Sequence, residues 1–173
     1  MYRDARTQSG ISRDEASFKL HVAPRTLANY ETGETEPPPE VVLAMAQVYR
    51  QPEMTQVYCK QNCAIGKVYS YEILNAIDTS LPAVILKLAV ELEEARTVFN
   101  RLMVLTVNKQ KREDFSSAEW IEFSQIVQEF LDVEHNVEVL KLAIGRIVDV
   151  AEFVEAHNKK CREHGYTKEK VAL

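Results

Sequence analysis

Apolar positions along this chain follow two regimes. Over residues 1–54 they come in short runs, each bounded by a residue that starts or stops a helix. Residues 2–9 predict a short helix, which Gly10 ends as a C′ residue. Ser12 and Glu15 have the spacing of a capping box, so a second helix starts there and runs to about Leu20, with Ala16 and Leu20 on its inner face. Only His21 to Ala23 separate it from the next helix. Pro24 suits the first position of that helix, where a missing N–H costs nothing, and Gly33 closes it. Pro39 opens a fourth helix, with Glu40 near its positive dipole end. There Pro39, Val42, Leu43, Ala46 and Tyr49 recur at helical spacing and predict the buried stripe, and Pro52 stops it.

Beyond a junction at residues 55–80 the pattern lengthens. From Ala83 to about Val107, Ile85, Leu88, Leu92, Ala95, Phe99 and Leu102 recur in heptads. NKQKRED is a polar loop, and Ser116 with Glu119 is a second capping box. Phe123, Ile126, Phe130, Val133, Val137, Leu140, Ile144, Ile147, Ala151 and Val154 then fill successive a and d positions without a polar interruption. Val127, Ala143, Val148 and Val150 widen that seam towards a multi-helix bundle. A helix of some 40 residues would span about 60 Å and one of 25 about 37 Å, so the shorter leaves part of the longer seam uncovered. A second copy of the chain is the simplest cover. Gly145 is the weak point of the long pattern, and a break near residues 134–136 is the other place it could fold back.

Composition narrows the class. With 173 residues, 46% of them hydrophobic and only five glycines, the chain can bury a sizeable core. No apolar run reaches the roughly 18 residues of a membrane span and the start lacks a signal-peptide core, so a soluble cytoplasmic protein is expected. Three cysteines do not make a disulfide framework. The net charge of −5 argues against bulk attraction to nucleic acid. Residues 1–54 themselves hold Arg3, Arg6, Arg13, Lys19, Arg25 and Arg50 against eight carboxylates. Any case for DNA must rest on where those few cations sit.

Two helices joined by a tight turn and buttressed on both sides form a helix-turn-helix unit. The stretch ARTQSGISRDEASFKLHVAPRTLANYETGETEPPPEVVLAMAQVY resembles the phage-repressor (Cro/XRE) class of regulators without a gap. The matching marks are Arg6, Gly10-Ile11-Ser12, Glu15, Ser17, Val22, Leu27, Glu31-x-Gly33, Pro37 and Ala46. His21 departs from it, standing where the family has glycine, as do Ser17 for alanine and Arg13 for glutamine. The heptad pattern is read as a helical dimerisation or signal domain at 81–165 with a tail at 166–173, while the resemblance implies, within an all-α fold, a lambda-repressor-like domain at 1–54. It also implies an ion pair between Arg6 and Glu31. Residues 24–33 become the helix that enters the major groove. Arg25 and Asn29, at i and i+4, share its polar face. Arginine fits guanine O6/N7 and asparagine fits adenine N6/N7, with Thr26 and Ala28 flanking them. Ser12 and Arg13 would hold a phosphate at the start of the second helix. The expected partners are double-stranded DNA and a second copy of the chain, and the expected mode is repression at a palindromic operator. An antitoxin or other interaction protein, whose C-terminal helices mask a partner, is the alternative. A small effector could act at the same helices.

Other chemistry is thin. Asp132-x-x-His135 has the spacing of di-iron bundles, but no second copy of that motif follows. Cys59-x3-Cys63 and His157-x3-Cys161 would together offer zinc four ligands. Nothing local joins the two pairs, and thiols that simply pack are the plainer reading. No enzyme activity and no cofactor is expected.

Overall fold

A computed structural model describes residues 1–167, and all its regular structure is helical. The expected tail lies, from residue 168, outside the described residues. The α-helices are α1 Tyr2–Gln8, α2 Arg13–Lys19, α3 Pro24–Thr32, α4 Pro39–Tyr49, α5 Glu53–Asn62, α6 Gly66–Tyr69, α7 Leu81–Leu105, α8 Ser117–Gly145 and α9 Val150–Glu163. They form two compact units, residues 1–73 with 144–167, and residues 74–143.

In the first unit the predicted caps do their work. The Ser12 side chain accepts from the Glu15 N–H at 3.2 Å, while the Glu15 carboxylate turns to Lys19 at 2.8 Å instead of closing the box. Pro24 and Pro39 occupy first turns, and Gly33 ends α3 with φ +77°. The core gathers Ala5, Ala16, Leu20, Leu27, Val42, Met45, Tyr49 and Met54. Leu27 is fully buried, a contribution of about 2 kcal/mol from apolar area alone. The stripe of α4 differs from the expected one. Val42, Met45, Ala46 and Tyr49 point inward, whereas Pro39 is exposed and Leu43 is 53% exposed. Both sets have helical periodicity, and packing against α1 and α5 selects the inward one. Helix α5 adds Met54 to the core and Tyr58 at its edge. Gly66 lets α6 fold tightly onto α5, since a Cβ there would lie 2.1 Å from the Cys59 carbonyl oxygen.

His21 takes φ +53°, the left-handed conformation that glycine provides elsewhere in the phage-repressor class. A Cβ makes that backbone costly by about 1 kcal/mol or more, and glycine's larger freedom in the unfolded chain offsets part of this. His21→Gly should therefore stabilise the protein by about 0.5–1 kcal/mol, read as a higher urea midpoint. A lower midpoint would show that the exposed imidazole contributes more than its backbone costs.

The long second pattern is not one helix. Helix α8 stops at Gly145, where the Ile147 and Val148 amides bond back to the Ile144 carbonyl. Asp149 then caps α9, accepting from the Ala151 N–H at 2.9 Å. A glycine interior to a helix costs about 1 kcal/mol, and a capping aspartate favours a fresh start by a similar amount. Together they outweigh the uninterrupted a/d pattern. Gly145 also admits Pro52, which would stand 3.3 Å from a Cβ.

In the second unit α7 and α8 run antiparallel. Phe99 faces Phe130 with centroids 6.1 Å apart, Arg101 pairs with Glu122 at 2.5 Å, and Val84 packs with Val139 and Ala143. The Ser116–Glu119 capping box forms in both directions, at 3.3 and 2.8 Å. Phe115, Trp120 and Phe123 close the turn as a three-ring cluster, with Arg112 over the indole. The buried register differs in part from the expected one: Ala95, Ile126 and Ala143 are buried as expected, and the other buried positions are not those of the expected seam. Val84, Glu91, Ala95 and Leu105 of α7 face inward, and Ile126, Asn136, Val139 and Ala143 of α8. The seam is thus interrupted by polar groups. The Glu91 carboxylate is satisfied by Lys87, and the Asn136 amide donates to the Asp132 carbonyl at 2.9 Å. Ile85, Leu92, Phe99 and Val137 remain exposed.

Candidate nucleic-acid interface

Helix α3 is short and held at both ends. Pro24 begins it, and the Glu34 N–H bonds to the Asn29 carbonyl at 3.0 Å beyond Gly33. Its inner face is anchored by Leu27 and, one turn on, by Glu31. The Glu31 side chain has no exposed surface. Its two carboxylate oxygens take three bonds: Arg6 Nε at 2.5 Å, Arg6 Nη2 at 3.2 Å, and Arg13 Nε at 3.1 Å. Arg6 also donates to the Ile11 carbonyl at 2.9 Å. One carboxylate on α3 therefore ties down α1 and the first turn of α2. Burial pushes the Glu31 carboxyl up, but the hydrogen bonds and charges of Arg6 and Arg13 outweigh it and hold the group below the ordinary glutamate range. The Arg6–Glu31 pair implied by the resemblance is present. Arg13's membership of the network was missed, because the sequence offered it only as a phosphate contact.

The outer face holds the other expected residues. Arg25 is exposed and its guanidinium makes no hydrogen bond or ion pair among the described residues, so it is free to meet a base edge. Thr26 and Ala28 are half-buried beside it. Asn29 is engaged. With its amide nitrogen turned inward it donates to Glu34 Oε2 and to the Arg25 carbonyl, at 3.1 Å each. Ser12 is occupied as the cap of α2. Arg13 is fixed through Nε, while its terminal nitrogens make no bond among the described residues. Arg25, Asn29, Ser12 and Arg13 all belong to α2, α3 or the cap of α2, within a frame that Glu31 locks.

Residues 3–53 match the helix-turn-helix family HTH_3. This segment is an HTH_3 helix-turn-helix domain of the Cro/C1 type. The match covers under a third of the chain and takes in α2 to α4 whole and α1 from its second residue. A domain of this family implies sequence-specific DNA binding by residues 3–53. No curated protein and no solved structure matches the chain.

The remaining candidates lie elsewhere. His157 Nε2 and Cys161 Sγ are 3.4 Å apart on the exposed face of α9. Cys59 and Cys63 sit at the end of α5, where the Gly66 and Ile65 amides hold the Cys63 thiol below its ordinary range. The two pairs are not gathered into one ligand cluster among the described residues. Asp132 and His135 lie on α8, where the Asp132 carbonyl receives Asn136. No helix among the described residues is long and apolar enough to cross a membrane.

Proposed function

We propose that the protein is a transcriptional repressor that binds a palindromic operator as a homodimer inside the cell, with α3 in the major groove. The observation that carries this reading is Arg25, an unpaired cation on the outer face of a helix whose inner face is clamped by a buried carboxylate. A rigid helix presenting one free guanidinium is what base readout requires, because the arginine's bidentate fork loses its discrimination if the helix can tilt. Thr26 and Ala28 would flank the read base pair. Asn29 would read a neighbouring adenine by leaving Glu34. Ser12 and the free end of Arg13 would meet phosphate.

Dimerisation is supported by the face that α7 leaves outside its hairpin. Ile85, Leu92 and Met103 are each about half exposed, at 50–51%, and follow one another along one side of the helix over about 27 Å, with Phe99, whose ring also meets Phe130, at the edge of that stripe. Isolated exposed apolar residues are ordinary, but a continuous stripe of this length marks a contact surface. A second copy fits because helix-turn-helix domains of this kind read two half-sites with twofold symmetry. The proposed layout is a reading domain at 1–54, a junction at 55–80 and a dimerisation or signal domain at 81–165.

Selection of bound sites from random DNA, followed by titration at two salt concentrations, tests the reading. Arg25→Ala should lose about 1–3 kcal/mol on the selected operator and relax preference at one base pair per half-site. Arg13→Ala should weaken all sequences alike and lower the salt slope by about one unit per contact. It also frees one oxygen of Glu31, so some thermal destabilisation is expected with it. Uniform loss in Arg25→Ala, with base preference intact, would make Arg25 a phosphate contact and overturn the placement of α3.

A further inference from the structure

A cleft lined by none of the residues assigned to DNA contact lies against the reading domain. Its walls are α4, the start of α5 and residues 145–151, and its volume is about 600 Å³. That is the size range of small-molecule sites. The inner wall is apolar, with Leu43, Ala46 and Pro52 facing Val148 and Val150. Here the exposure of Leu43 has a use, since the residue that α4 does not bury in the core floors the cleft instead.

The charged groups at the rim other than Arg50 are already engaged. Arg146 is shared with Glu53, 3.7 Å away, and Asp149 is engaged in capping α9. Arg50 remains, exposed and without an ion pair among the described residues. It is held at φ +55°, ψ +42°, where it ends α4. Gln47, in the last turn of α4, also lines the cleft and offers it an amide. A guanidinium and an amide above an apolar trough select a ligand with one carboxylate and a hydrocarbon body.

We propose that this cleft binds a small amphipathic monocarboxylate, which acts as the effector of the regulator. Its role as an effector rests on the repressor reading; the binding site itself does not. Carboxylate on Arg50 and the alkyl body against Leu43 and Val148 bring together α4, a core helix of the reading domain, and the segment that leads into α9.

Calorimetric titration of the full chain, without DNA, tests the site with decanoate as the probe and decanol and acetate as controls. Decanoate should bind saturably with one molecule per chain, and both controls at least about ten-fold more weakly. Arg50→Gly is the informative variant. It removes the cation while relieving a left-handed backbone, so weaker binding would not reflect misfolding. It should weaken decanoate about ten-fold or more, and Val148→Trp should fill the trough and do likewise. Absence of saturable binding, equal binding by Arg50→Gly, or decanol binding as tightly as decanoate would overturn the proposal. Operator affinity is measured separately, so failure of the site leaves the DNA reading standing, and the reverse holds too.

Discussion

Replacing Glu31 with alanine should destabilise the helix-turn-helix domain by about 3–5 kcal/mol, because it leaves the Arg6 guanidinium partly buried and uncompensated. Arg6 and Arg13 converge on one carboxylate with no exposed surface, so this is not a surface ion pair of marginal worth. Glu31→Gln keeps the shape and part of the hydrogen bonding, and should fall between alanine and wild type. The acid limb gives an independent reading. The folded-state pKa of Glu31 lies below the ordinary value, so its contribution is fully present above the ordinary glutamate range and is lost as pH falls through the depressed value. Urea midpoints measured from neutral pH downward should decline more steeply in wild type than in Glu31→Gln. A loss below about 0.5 kcal/mol in Glu31→Ala would place the pair among exposed ones. Operator affinity should fall in either variant at temperatures where the domain is still folded, because α3 loses its tie to α1 and α2.

Leu92→Glu should leave the chain folded but monomeric. Leu92 is about half exposed on α7 and outside the buried face of the hairpin, so a carboxylate there is tolerated by a single chain. Between two chains it would be a charge buried in an apolar contact, at a cost of several kcal/mol. Light scattering at micromolar concentration should show a dimer for wild type and half that mass for the variant. Operator affinity should drop roughly 100-fold, since two linked reading heads gain from effective concentration and two separate ones do not. A wild-type monomer, or a dimer that survives Leu92→Glu, would overturn the homodimer. The α7 stripe would then suit a different protein, as in the antitoxin reading. Arg25→Ala differs in kind from both, since it should change base preference without changing assembly or stability.

The two halves of the chain were legible to different degrees. Residues 1–54 are written in local signals whose physics does not depend on what lies around them. Pro24 and Pro39 lack an N–H, Gly10 and Gly33 take positive φ, and Ser12 satisfies an orphan amide. Those facts fix four helices and the turn between α2 and α3, and with them the frame that carries Arg25. Even the strained His21 was visible as a departure from glycine. The sequence also placed α7 and the start of α8 within a few residues, through heptad spacing and the Ser116–Glu119 box.

What tertiary structure decided is which of two acceptable faces each helix buries. On α4, Leu43 and Met45 both belong to helical stripes, and only the packing of α1 and α5 turned Met45 inward. On α7, Val84 and Leu105 lie on one apolar stripe and Ile85, Leu92 and Met103 on another. The hairpin with α8 took the first and left the second outside. Of the two weak points in the pattern across residues 123–154, the chain breaks at Gly145, where Asp149 offers a new cap, and stays helical through residues 134–136. The tie of Arg13 to Glu31 is tertiary too: a pair eighteen residues apart exists only once α2 and α3 are packed. Periodicity specifies that a helix has an apolar face. The choice among faces belongs to the neighbours, which the chain acquires only when it folds.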